Sequence, residues 1–275
     1  MTDAIRWRPS PLFVGLVVVA VASGWALASS VGDRGILTFV FVAVSWVVTL
    51  CLHEFAHAFV AYRNGDSSVV FRGYLTLNPL KYTHVVLSLV LPLVFLLLGG
   101  IGLPGGAVFI DRNALRTRFA NSATSAAGPL TNLAVAIVLC TVIFVGQGSS
   151  ALWPALGFLA FLQLTAAVLN LLPIPGLDGY GIIEPYLPRE WARQAALVAP
   201  YAFFGIFALM LPFTLSKAGG FDGIRERMGD QAFNLIGDKN FGADPQTILT
   251  WFVVFTLGLL IGQDIWQRVF TARSP

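Results

Sequence analysis

Long apolar blocks separated by short polar stretches run through most of the chain. Six of them, 11–30, 36–62, 122–146, 151–172, 195–215 and 247–264, are long enough to cross about 30 Å of hydrocarbon as helices. A seventh block, 85–103, is interrupted by Pro92 and runs into Gly99, Gly100, Gly102, Pro104, Gly105 and Gly106. Helix-breaking residues at that density predict a segment that re-enters the membrane or lies along its face. Between the second and seventh blocks, a turn signal at 64–68 precedes Val69–Asn78. The alternation and β-branched residues there predict a short β-hairpin near 67–80. Lipid does not tolerate unpaired strand edges, so such a hairpin is expected within protein or in water. The polar stretch 217–246 reads as a loop with one short surface helix. The pattern is that of an all-α polytopic membrane protein with about six transmembrane helices, forming one integral domain over 1–275.

Composition supports that class. The 275 residues are 56% hydrophobic and 11% charged, against about 25% charged in soluble domains. So few charges cannot cover a water-facing surface, which excludes a soluble enzyme, a disordered chain and a disulfide-rich secreted module. The net charge is +3, but the basic residues sit at the ends of apolar blocks. That placement orients membrane helices and does not suggest a nucleic-acid face, so the expected surroundings are a lipid bilayer. Cys51 and Cys140 both lie inside apolar blocks and are spaced for neither a thiolate cluster nor a disulfide.

Chemistry enters at the end of the second block, in Cys51-Leu52-His53-Glu54-Phe55-Ala56-His57. On a helix, residues i and i+4 share one face, so His53 and His57 can reach one metal ion. Glu54 sits about 100° round, within reach of a water at that metal. Three ionisable side chains inside apolar sequence are costly and need a common purpose. Zinc sites of the catalytic kind use three protein ligands and leave a fourth position for water. The third ligand should be another acid or histidine. Asp178 is the preferred candidate: Pro173 and Pro175 break the helix before it, and Gly176 and Gly179 flank it. Glu184 is the rival, and His84 lies in the polar segment.

Three stretches, His53–His57, Gly128–Asn132 and Asn170–Gly179, each on its own apolar segment and in this order, resemble the site-2 protease family of intramembrane zinc metalloproteases. They cover a core of about 40–185, with 11–30, 195–215 and 247–264 as peripheral helices. The chain looks like the compact type, without an inserted peptide-binding domain or a nucleotide-binding tail. The resemblance implies His53, His57 and Asp178 as ligands of one Zn2+ per chain, with Glu54 as the catalytic base. It matches Asn132 to a position that binds substrate or steadies the oxyanion, and Asn170 more loosely to the same role.

Topology follows from parity and charge. For His53, His57 and Asp178 to meet at one membrane face, an even number of crossings must separate them. The 85–103 block is therefore the one that does not cross. With the N-terminus in the cytoplasm and six crossings, Arg6, Arg63, Arg112, Arg116, Arg118, Arg189 and most other basic residues fall inside, as the positive-inside rule requires. The expected function is hydrolysis of peptide bonds in or near the transmembrane segments of membrane-bound substrates, in a bacterial cell membrane and toward its cytoplasmic side. The hairpin near 67–80 would receive the unwound substrate as an added strand. The alternatives are a membrane zinc-ion transporter and a catalytically inactive scaffold.

Overall fold

A run of apolar residues becomes a helix at the point where a polar side chain can satisfy its first free N–H groups. Ser10 does this for α1 (Pro11–Ala28), its hydroxyl accepting from the Phe13 N–H at 3.1 Å with Pro11 opening the first turn. Asp33 does it for α2 (Arg34–Arg63), accepting from the Ile36 N–H at 2.8 Å. The computed structural model describes residues 8–82, 108–146, 149–199 and 201. After α2 come a short α3 (Ser68–Phe71), then α4 (Arg118–Gly146), α5 (Leu152–Asn170) and a six-residue α6 (Asp178–Ile183). Residues 189–199 are helical again.

Helices α1, α2, α4 and α5 are long and apolar enough to cross a membrane. They coincide within a few residues with the predicted blocks 11–30, 36–62, 122–146 and 151–172. The predicted spans 195–215 and 247–264 and the interrupted block 85–103 lie outside the described residues, apart from helical 195–199. More than half of the apolar window is buried in α2 and α5, against 17% in α1 and 22% in α4. So α2 and α5 are central, and α1 and α4 turn apolar faces outward. One core packs Leu27, Phe41, Trp46, Ala155, Phe158 and Leu162 between α1, α2 and α5. Small residues such as Ala155, Ala166 and Ala167 let the helices approach closely, which is how packing is achieved where lipid is as apolar as the interface.

The predicted hairpin near 67–80 is corrected by the structure. Residues 68–71 are α-helical, and Tyr74–Thr76 and Pro79–Lys81 are single 3-10 turns. No strand occurs among the described residues. Local side-chain hydrogen bonds outweigh the alternating pattern. Asp66 accepts from the Ser68 N–H at 2.9 Å, and Asn78 from the Leu80 N–H at 3.0 Å. Gly73 and Leu77 take left-handed conformations, which cut the run into pieces too short to pair. Val69, Tyr74 and Leu75 are still buried, packed through these turns against the C-terminal half of α2 in a second core with Cys51, Ala58 and Ala61. Tyr82 closes the segment by donating its O–H to the Cys51 carbonyl at 3.2 Å. Burial pushes its phenol pKa up, so the donor stays protonated.

Residues 108–116 form a strap over the same end of α2. Buried Asp66 accepts the Asp111 N–H at 2.9 Å, and the Arg116 N–H donates to the Asn64 carbonyl at 3.2 Å. This strap leads into α4 and sets where α4 begins.

Candidate active site

His53 and His57 leave the same face of α2, four residues apart. Their Nε2 atoms lie 3.1 Å from each other. Asp178 Oδ2 lies 3.4 Å from each of them. Among the described residues these three make up the group able to hold a metal ion, their ligand atoms all within 4.8 Å of one another.

The backbone fixes which nitrogen faces inward. His57 Nδ1 lies 2.7 Å from the Thr124 carbonyl oxygen. A carbonyl can only accept, so Nδ1–H donates and Nε2 of the neutral ring keeps its lone pair. Three electron-rich atoms facing one another at 3.1–3.4 Å repel unless a cation or a shared proton joins them. A tetrahedral zinc centre with bonds of about 2.0–2.1 Å sets its ligand atoms about 3.3–3.4 Å apart. Donor types and spacing both fit zinc.

Helix α4 supplies the wall opposite the two rings. A Cβ at Gly128 would collide with Nε2 of both His57 and His53, so only glycine allows this approach. Pro129 follows within the helix. It has no N–H for the Ser125 carbonyl, which opens the turn beside the one whose Thr124 carbonyl serves His57.

Asp178 arrives from the other side. Helix α5 ends at Asn170, and the chain turns through Pro173 and Pro175 to Gly176 at φ +97°, a conformation that suits glycine. Asp178 is then the first residue of α6. The Ser122 hydroxyl holds α6 on α4 by donating to the Ile182 carbonyl at 2.6 Å. Arg112 of the strap pairs with Glu184 at 3.0 Å and also donates to the Ser125 hydroxyl at 3.4 Å. Glu184, the rival acid, is thus engaged by an arginine and stands outside the metal-binding group.

Glu54 is 2% exposed, and its Oε2 accepts the Val108 N–H of the strap at 3.1 Å. It borders the triangle without belonging to it. Asn132 and Asn170 are both buried, and both line a small cavity beside His53. His84 lies outside the described residues. Sequence reasoning missed Thr124, Gly128 as a contact residue, and Gln163, which is 1% exposed and lines the same cavity. An amide in the middle of an otherwise apolar span was a signal for Gln163. A backbone carbonyl partner such as that of Thr124 leaves none.

The relatives of the chain decide its family. It is 45% identical over 216 residues to a protein of Mycolicibacterium smegmatis named "Putative zinc metalloprotease Rip2", covering 76% of this chain and 83% of that protein. The protein of that name from Mycobacterium tuberculosis strain H37Rv is 46% identical over 223 residues, 79% of this chain and 85% of the relative. The chain belongs to the site-2 protease family of intramembrane zinc metalloproteases. The members of this family are hydrolases whose cofactor is zinc. The YwhC protein of Bacillus subtilis, which carries the same zinc metalloprotease name, is 29% identical over 180 residues, 62% of this chain and 80% of its own. No protein-family model and no solved structure matches the chain.

The close approach of α4 generates a prediction. Gly128→Ala is expected to lose most of its bound zinc, measured by elemental analysis of purified protein in detergent. Gly157→Ala, whose added Cβ meets nothing within 4 Å, should keep it. Full zinc retention in the first variant would show that α4 does not press on the two imidazoles.

Proposed function

We propose that the protein is an intramembrane zinc protease that hydrolyses peptide bonds in or near the transmembrane segments of membrane-bound proteins. His53, His57 and Asp178 hold one zinc ion, and Glu54 is the general base. The observation that carries this reading is the convergence of three lone pairs beside a buried carboxylate inside an apolar bundle. The zinc metalloprotease names of the relatives support it.

Bound in this triangle, zinc supplies Lewis-acid polarisation of a carbonyl and a lowered water pKa. Glu54 takes the proton of the attacking water and returns it to the leaving amine. The Val108 N–H orients its carboxylate for that task. Asn132, and more loosely Asn170, orient the substrate or steady the oxyanion. Among the metal-binding side chains, the histidines are 6% exposed and Asp178 is 25% exposed, so substrate and water approach past α6.

The whole chain serves as one integral membrane domain with its N-terminus and active site toward the cytoplasm. The passage of α4 and α5 between the histidines and Asp178 supports the even count of crossings. A bacterial cell membrane is the proposed setting, and a protein spanning that membrane the substrate.

Three replacements test the assignment together. Glu54→Gln keeps the size and removes the base. Its zinc content should stay near wild type while cleavage of a transmembrane substrate falls by at least about 10²-fold. A metal-free Glu54→Gln protein would make Glu54 a ligand, and normal cleavage would move the base elsewhere. Asp178→Ala should lose most of its zinc and Glu184→Ala keep it, and equal retention would mean the wrong acid is assigned. For orientation, single cysteines near Arg116 and Arg189 should react with an impermeant thiol reagent from the cytoplasmic side. Labelling near Arg116 from outside would overturn the six-crossing arrangement.

A further inference from the structure

The two histidines are not supported alike. His57 Nδ1 has the Thr124 carbonyl at 2.7 Å. His53 is 5% exposed, and its Nδ1 has no partner among the described residues. A metal-ligating imidazole almost always donates its outer N–H to some acceptor, and a buried donor left bare costs free energy.

Beside His53, between α2, α4 and α5, lies a cavity of about 20 Å³. One water needs roughly 10–15 Å³ and two to four polar partners. The polar lining consists of Thr49, Asn132, Gln163 and Asn170, all buried. Thr49 precedes His53 by four residues and shares its face of α2. Gln163 donates from Nε2 to the Thr49 hydroxyl at 2.6 Å, and that hydroxyl donates to the Trp46 carbonyl at 2.9 Å. This relay fixes the Gln163 amide at the cavity wall. An amide side chain also carries an acceptor oxygen and a second N–H. An apolar gap of this size would stay dry, whereas three amides, a hydroxyl and an imidazole offer a water its polar partners.

We infer that this cavity binds one water molecule, which accepts the hydrogen bond from His53 Nδ1–H and is held in turn by the Gln163–Thr49 pair. The inference rests on the zinc reading above. The water gives His53 the outer partner that Thr124 gives His57, and it keeps the lone pair of His53 on Nε2, facing the metal. Gln163 and Thr49 are positioning residues, because they act on the centre through His53 alone.

The test measures zinc affinity by competition with a chelator, using the full chain in detergent and loaded with zinc. Gln163→Leu should weaken zinc binding by about 10–100-fold, the usual cost of losing an outer partner. Thr49→Val should weaken it in the same direction, and Thr49→Ser should restore it. Ala166→Val removes no polar group and fills the cavity. Filling a gap ordinarily favours packing, so a purely structural cavity would leave zinc binding intact. Displacement of the water would instead weaken it, and this variant carries the test if Gln163→Leu does not fold. Wild-type affinity in both Gln163→Leu and Ala166→Val overturns the inference and leaves the zinc centre standing. A wild-type protein that holds no zinc overturns the reading beneath it.

Discussion

Mutual repulsion of three electron pairs is the constraint on which the rest of this structure depends. His53, His57 and Asp178 bring lone pairs within 3.1–3.4 Å of one another in the interior of an apolar helix bundle. Nothing in the hydrophobic effect favours this, because burying polar and charged groups costs free energy. The arrangement is tolerable only where a cation or a proton is shared. The fold then has to hold each base in place from outside. The Thr124 carbonyl grips one imidazole, the α5–α6 turn delivers the carboxylate, and Gly128 keeps α4 from filling the space.

These devices all draw on one stretch of α4. Ser122 anchors α6, Thr124 orients His57, Ser125 meets Arg112, and Gly128 faces both rings. Two turns of helix thus couple the motif on α2 to the acid that follows α5. The strap makes a second connection, since Val108 holds Glu54 and Arg112 holds Glu184 near the end of α6. Glu54 and the helix that carries Asp178 are therefore tied to the same short segment. A displacement of the strap would disturb Glu54 and Asp178 together.

Four of the spans and the grouping of His53, His57 and Asp178 were legible in the sequence. Apolar blocks at helical length mark α1, α2, α4 and α5. The spacing of His53 and His57 places two imidazoles on one face, and the Pro- and Gly-rich turn marks the place where an acid comes back to meet them. What failed was also local in origin. Val69–Asn78 alternates like a strand, yet Asx-type hydrogen bonds from Asp66 and Asn78 and two left-handed residues turn it into helical fragments. Its apolar side chains needed burial against α2, and several short turns supplied that without any partner strand. The outer support of the histidines could not be read from the sequence, because a carbonyl and a cavity carry no residue signature. Gln163 was visible as an anomaly in α5, but its purpose depends on Thr49 lying across the helix interface.

The asymmetry of exposure bears on how a buried centre reaches its substrate. Both imidazoles are walled in by α2 and α4, with 6% of each side chain open, while Asp178 is a quarter open. Carrying Asp178 on a six-residue helix, outside the long packed spans, leaves that flank of the site less enclosed. The same choice explains why α6 needs its own fastenings to Ser122 and, through Glu184, to Arg112. A short helix has too little buried apolar surface to hold its position by packing alone. Polar contacts at its end therefore set the position of the carboxylate, on the more open flank of the site.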